Sequence, residues 1–270
     1  MLNPIQEKLL DMLLWFHNYC MDNHITYYAA GGTVIGAARH NGFIPWDDDI
    51  DIVVPRRDYN RLIKLFSEKV GHYYLESPYS ENKDFLYSYT KLYDTNTTLM
   101  ERGNIECKRG VYIDIFPLDG IGTTYDEAIK NFKKVDMVNM FLRTRTCAIR
   151  KGRRWYKNLS ILLSKCIPSV LVDNKKLSIQ LDYLANSINN DQADYVANLM
   201  GSYREKEIVK RELFGKPVLH QFENISIFIP ERYDEYLSKI YGEWKKLPPI
   251  EKRKTYHDFV VMDLNKPYVQ

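Results

Sequence analysis

The chain predicts an α+β fold, a mixed β-sheet built largely in the first half and flanked by helices, with a helical insert after residue 125. Two observations point there. Short runs at 25–30, 49–54, 72–76, 85–93 and 111–116 are apolar or alternate with period two, as strands do. From residue 126 to 189, long stretches with helical spacing replace them. No internal repeat or low-complexity linker interrupts the 270 residues. They read as a single domain with a core over 1–125, the insert over 126–192 and a C-terminal completion over 193–270.

The elements follow in order. Asn3 and Pro4 read as N-cap and first residue of an amphipathic helix, with Ile5, Leu9, Met12, Leu13 and Phe16 on one face. Ile25 to Ala30 is a buried strand, and Thr33 to His40 has room for one or two helical turns. Asn41-Gly42 turns the chain, and Pro45 excludes helix at Ile44. A strand over Asp49 to Val54 precedes a helix over Arg56 to Val70. Strands follow at His72 to Glu76, Phe85 to Tyr93 and Val111 to Phe116, the last closed by Pro117 and Gly120. Helices are expected at Asp126 to Arg150, Trp155 to Cys166 and Asn174 to Asn189. Short strands mix over 195–229, and a last helix spans Pro230 to Tyr241 before Leu247-Pro248-Pro249.

Composition excludes several classes. A net charge of +3 is too weak to point to nucleic acid. Cys20, Cys107, Cys147 and Cys166 show no CxxC spacing, so neither a disulfide framework nor structural zinc is expected, and a reducing cytoplasm fits. The N-terminus carries Glu7 and Asp11 and no basic leader, unlike a signal peptide. No apolar run approaches the roughly 18 residues of a membrane-spanning helix.

The chemistry concentrates in residues 31–54, GGTVIGAARHNGFIPWDDDIDIVV. A glycine pair between a strand and a helical turn exposes backbone N–H groups, so Gly31, Gly32 and Thr33 form a candidate phosphate cradle. Period two puts Asp47, Asp49 and Asp51 on one face and sends Ile50 and Ile52 to the core. Carboxylates so close repel unless a cation neutralises them, and hard oxygen donors suit Mg²⁺ or Mn²⁺. A solvated acidic turn is the plain alternative, disfavoured because the acids run straight into an apolar strand. An EF-hand is excluded, because Ile52 stands where that loop needs glycine, although Asp58 falls at its last ligand position. Asp114, a charge between Ile113 and Ile115, is the natural third ligand or a general base.

Gly31-Gly32-Thr33, Asp49-Ile50-Asp51 and Asp114 together resemble the nucleotidyltransferase pattern of a glycine pair, an Asp-apolar-Asp strand and a third acid. More narrowly, the long first block with KLYDTNTTL, YIDIFPLDGI and YGEWKKLPP resembles the LicD family over roughly residues 25 to 260. That resemblance implies a nucleotidyltransferase-like sheet. It also implies transfer of phosphocholine, or a related phospho-alcohol, from CDP-choline or another CDP-alcohol. The acceptor would be a lipid-linked glycan precursor such as teichoic acid or lipopolysaccharide, and CMP would leave. Asp49, Asp51 and Asp114 would then hold the metal and act in catalysis, with Gly31, Gly32 and Thr33 on phosphate oxygens. The spacing between glycines and diacid is longer than in many nucleotidyltransferases, a feature shared with LicD proteins, and it argues against simple transfer from an NTP.

Arg39 and Lys91 match basic positions in the family blocks, where they would neutralise donor phosphates; a surface ion pair is the alternative. His40 and His257 are candidate proton carriers or structural histidines, and His257 follows the late KLPPIEKR block. No tyrosine is assigned to a choline cage. Within 143–172, basic residues Arg143, Arg145, Arg150, Lys151, Arg153, Arg154 and Lys157 lead into an apolar helix. Two readings stand: a core helix with a solvated basic loop, or a peripheral helix on the inner face of the cell membrane that binds anionic vesicles in a salt-sensitive way. Two other functions remain as alternatives, an NTP-dependent nucleotidyltransferase acting on RNA or a small molecule and a non-catalytic membrane-associated scaffold.

Overall fold

The structure, a computed structural model, describes residues 2–66, 69–82, 84–85, 87–101, 109–146, 149, 152, 154–168, 171–255, 257 and 259–268. Cys107, Cys147, Arg150, Lys151 and Arg153 lie outside the described residues.

Helix α1 spans Pro4–Asp22. Asn3 caps it, accepting from Gln6 N at 2.9 Å while the Gln6 side chain accepts from Asn3 N at 3.1 Å, a reciprocal pair that satisfies two end donors. The face Ile5, Leu9, Met12, Leu13 and Phe16 is buried, as the spacing predicts. Strand β1 is short, Tyr28–Ala29, and leads into α2 (Gly31–Ile35), which widens into a π turn over Gly36–His40. Then come β2 (Asp51–Pro55), α3 (Arg56–Leu65), β3 (Tyr73–Glu76), β4 (Thr90–Asp94), β5 (Thr98–Glu101) and β6 (Tyr112–Gly122). Helices α4 (Tyr125–Thr146), α5 (Trp155–Lys165) and α6 (Asn174–Ile188) follow. The chain continues with β7 (Tyr195–Ala197), β8 (Val209–Lys210), β9 (Val218–Phe222), β10 (Ile225–Ile229), α7 (Tyr233–Tyr241) and β11 (Phe259–Asp263).

The main sheet runs β1-β2-β6-β4-β3, with β7 and then β8 continuing from the far end of β6. Among the described residues only β2 and β6 pair in parallel; the other pairs are antiparallel, which makes the sheet mixed, with helices packed against it. Hairpin β9-β10 and the pair β5-β11 stand beside it.

Pro117 does not close β6. The strand continues to Gly122 because it changes neighbours midway, pairing with β4 up to Ile115 and with β7 from Asp119. Asp114 N donates towards β2, to Ile50 O at 3.0 Å. By alternation Pro117 faces the other edge, in the gap between β4 and β7, where a missing N–H costs no ladder bond. The expected strand over 85–93 begins only at Thr90, since Tyr87, Ser88 and Tyr89 leave the ladder to line a cavity. Helix α3 ends at Leu65, short of Val70, which instead bridges to Tyr73. Strands β5 and β11 were not expected at all; each supplies the other's hydrogen bonds across the length of the chain.

Behind the sheet, Arg56 is fully buried between two acids. Its Nε and Nη2 bond both Asp119 oxygens at 2.6 and 2.9 Å, and Nη1 bonds Asp182 at 2.7 Å. This network ties α3, β6 and α6 together. Removing one partner of such a group costs about 3–5 kcal/mol, because a buried charge is left uncompensated.

Candidate active site

The parallel register of β2 and β6 sets Asp51 opposite Asp114, and the antiparallel register of β4 and β6 sets Lys91 opposite Asp114. Paired residues point to the same face of a sheet, so Lys91, Asp114 and Asp51 stand abreast on three adjacent strands. Lys91 Nζ lies 2.6 Å from Asp114 Oδ1. Ile50, Ile52, Ile113 and Ile115 face the core on the opposite side. Asp49 and Asp47 precede Asp51 and join it on the wall of a cavity of about 850 Å³. That volume suits a nucleotide-sized ligand.

The glycine pair explains itself in this setting. A Cβ on Gly31 would stand 2.9 Å from Asp51 Oδ2, and one on Gly32 would stand 2.9 Å from Asp47 Oδ2. Gly31 also has φ of 54°, a conformation that side chains disfavour. Two carboxylates are therefore pressed against the turn. The turn is clamped to β2 by Ala30 N donating to Asp51 O at 2.9 Å and by Asp51 N donating to the Thr33 hydroxyl at 3.0 Å.

This geometry places two of the expected phosphate contacts away from the cavity. Thr33 is buried with its hydroxyl accepting from Asp51 N, so it holds the start of β2 and does not line the cavity. Arg39 points away: Nη1 donates to Trp244 O at 2.6 Å and Nε to His40 Nε2 at 3.0 Å, fastening the π turn to the segment after α7. Neither side chain lines the cavity with the acids, whereas Gly31, Gly32, Lys91 and His257 do. Asp58, the former EF-hand candidate, accepts from Thr26 N at 2.9 Å.

Charge in the site is unbalanced. Burial, then repulsion from Asp49 and Asp48, pushes Asp47 up to about 8 despite His257 nearby. Burial and the charges of Asp49, Asp114 and Asp47 raise Asp51 well above the carboxylate range, and Lys91 offsets this only partly. Asp114 is raised by burial, with Lys91 opposing. Lys91 itself is raised: burial, the largest single influence, works against its charge, and Asp114, Tyr87 and Glu101 together outweigh it. Asp48 turns aside to accept from His257 Nδ1 at 2.7 Å and from the Thr255 hydroxyl. His257 Nε2 reaches within 4.0 Å of Asp49. Burial lowers the imidazole, but the Asp48 hydrogen bond and the Asp49 charge carry it to about 9, so His257 is a cation at neutral pH.

The sequence reading missed the surroundings of Lys91. Its Nζ sits 3.5 Å from the ring centre of Tyr112 and 4.5 Å from that of Tyr87, with Tyr89 at 5.6 Å. Tyr112 also donates to Glu101. Tyr112 was within reach of the alternation that exposed Asp114 two residues later; Tyr87 and Glu101 carried no local signal.

The oxygen-only donor set Asp47, Asp49, Asp51 and Asp114 fits a hard divalent cation, and the raised pKa values of Asp47 and Asp51 reflect burial first and then repulsion among the acids. Among the described residues no group of three or more His, Cys, Asp or Glu side chains is placed to hold a metal ion. Magnesium commonly takes one or two carboxylates and completes its shell with water and substrate phosphate, so an open site is chemically sufficient.

A mixed sheet with acids on two parallel neighbours beside a glycine turn defines a nucleotidyltransferase-like domain. Residues 24–155 match the family model described as LicD/FKTN/FKRP, nucleotidyltransferase domain. The chain is 31% identical over 262 residues to the lipopolysaccharide cholinephosphotransferase LicD of Haemophilus influenzae, covering 93% of this chain and 94% of that protein. The chain therefore belongs to the LicD family. A shorter match, 38% identical over 58 residues, covers 21% of the chain and 22% of the uncharacterized protein RP689 of Rickettsia prowazekii.

Proposed function

We propose that the protein transfers phosphocholine, or a related phospho-alcohol, from a CDP-activated donor to a hydroxyl of a lipid-linked glycan precursor, releasing CMP in the cytoplasm. The observation that carries this reading is the row Lys91, Asp114, Asp51 across three strands, facing a cavity that Asp49 and the glycine turn also line. The relative from Haemophilus influenzae, named for cholinephosphate transfer to lipopolysaccharide, matches over nearly its whole length and supports the substrate class.

Asp49 and Asp51 would hold Mg²⁺ or Mn²⁺, with Asp114 as the third acid. Once bound, the ion would neutralise charge on the donor pyrophosphate. Gly31 and Gly32 give the donor close access to the backbone beside the acids. The acceptor oxygen attacks the phosphorus that bears the alcohol, forming one P–O bond as the P–O bond to CMP breaks. Asp114 takes the hydroxyl proton in this scheme, and Lys91 favours the ionised carboxylate that a base requires. His257 acts through Asp48 and Asp49, as a cation that positions the acidic loop. Chemistry of this kind rests on positioning and charge neutralisation, so no covalent nucleophile is needed.

The test is to incubate the protein and Mg²⁺ with CDP-choline, CDP-ribitol, CDP-glycerol and the four NTPs in parallel, each with a glycan acceptor. Acceptor-dependent CMP release from one CDP-alcohol is the expected result. Pyrophosphate release from an NTP would replace this reading with nucleotidyl transfer.

A further inference from the structure

Helix α5 is inside out. An amphipathic helix on a globular protein buries its apolar stripe, yet α5 buries Ile161 and Ser164 and exposes its large apolar side chains. Trp155 is 75% exposed, Leu159 43%, Leu162 50% and Leu163 60%. At about 100° per residue these four fall on one arc, opposite Ile161 and Ser164. Leu171, shortly after the helix, is 74% exposed.

The orientation is anchored. Arg145, buried near the end of α4, donates to Ser164 O, Ile167 O and Val172 O, so one guanidinium gathers the end of α5 and the segment after it. Its Nε also bonds Asn174 Oδ1, reaching the start of α6. The outward apolar arc is thus held in place by polar bonds on its inner side.

Charge indicates what covers it. Between Met137 and Val172 the sequence has eight Lys or Arg and no Asp or Glu. Arg154, Lys157 and Lys165 are exposed on or beside α5. Two copies joined through this face would bring like charges together, whereas an anionic bilayer offers hydrocarbon to the leucines and phosphate headgroups to the lysines. No helix among the described residues is long and apolar enough to cross a membrane.

We propose that α5 docks the protein onto an anionic lipid surface, lying in the interface with Trp155, Leu159, Leu162 and Leu163 inserted. The cavity wall includes Arg143 and Thr146 at the end of α4, the helix to which α5 is anchored. Docking therefore brings one side of the cavity towards the bilayer. Delivery of a lipid-linked acceptor to that side rests on the proposed function; the docking itself does not.

The experiment is co-sedimentation of the full chain with vesicles of phosphatidylcholine alone or mixed with phosphatidylglycerol, at low and high salt. The wild type is expected to bind the mixed vesicles at low salt and to release as salt screens the charges. Leu159→Asp with Leu163→Asp, and separately Lys157→Glu with Lys165→Glu, should each weaken binding roughly tenfold or more. Both pairs are exposed, and an unchanged urea midpoint establishes that they fold. Wild-type protein that binds the mixed vesicles but releases no CMP from any CDP-alcohol would sink the proposed chemistry and leave docking intact. Absence of binding to mixed vesicles at low salt would overturn the proposal, as would undiminished binding by the Leu159→Asp, Leu163→Asp variant. A vesicle-free dimer abolished by that variant would overturn it too, assigning the face to a second copy.

Discussion

Replacing Lys91 by Met removes a buried cation and keeps most of the side-chain volume. Lys91 is 3% exposed, and its Nζ lies 2.6 Å from Asp114 Oδ1 and 3.5 Å from the Tyr112 ring centre. Without the ammonium, Asp114 faces Asp49 and Asp51 with no compensating charge, and removing one member of a buried pair costs about 3–5 kcal/mol. Against a typical domain stability of about 5–15 kcal/mol, that is roughly a third to a half of the total at the midpoint of the range. Asp114→Asn should cost less, since the ammonium left behind still sits over tyrosine rings. The double variant removes both charges, so the losses should fail to add by about 1.5–3 kcal/mol, the coupling expected of a contacting charged pair. Urea denaturation followed by tryptophan fluorescence on all four proteins, without divalent cation, measures this. Losses that add to within about 0.5 kcal/mol would refute the claim that Lys91 exists to balance Asp114.

Glu207 gives a pH signature elsewhere on the cavity wall. Burial raises its pKa from 4.5 to about 7, with the Tyr203 N–H opposing. Below pH 4.5 both folded and unfolded states are protonated and no penalty exists. As pH rises towards 7 the unfolded chain ionises first, so stability falls, by about 3 kcal/mol in all. Glu207→Gln should therefore stabilise the protein at pH 8 and leave it unchanged near pH 4.5; an equal gain at both values contradicts the burial argument. Gly31→Ala should lower the urea midpoint, because it adds a methyl 2.9 Å from Asp51 Oδ2 at a φ of 54°, with a left-handed penalty of about 1–2 kcal/mol. Wild-type stability in that variant would mean that the turn relaxes freely. His257→Asn should leave the fold intact, weaken the hold on Asp48 and lower transfer less than loss of Asp51; a fully inactive variant with normal donor binding would instead mark His257 as a proton carrier.

What the sequence made legible was what neighbouring residues encode together. The capping box of α1 and its buried face lie within one helix, and the outward side of Asp51 against the buried Ile52 follows from period two. Asp114 was visible as a charge between isoleucines. The length of β6 was not, because the tolerance for Pro117 depends on β4 leaving the strand before β7 arrives. The grouping of Lys91 with Tyr87 and Tyr112 is set by strand register and by a loop that leaves the sheet, neither of which has a local pattern. Asp48 turns aside to His257, and that partner lies at the other end of the chain, where no local pattern reveals it. Arg39 and Thr33 belong to the glycine block, but their tertiary contacts, to Trp244 O and Asp51 N, have no local pattern.

The most direct measurement of the central claim is CMP release from a CDP-alcohol with Mg²⁺ and acceptor, by wild-type protein and by Asp51→Asn. Asp51 lies opposite Asp114 in the sheet register and lines the cavity. Asn keeps the shape and removes only the charge, so the account predicts a folded protein whose CMP release falls at least a hundredfold, about 2.7 kcal/mol of barrier. Asp51→Asn protein that releases CMP at the wild-type rate would contradict it.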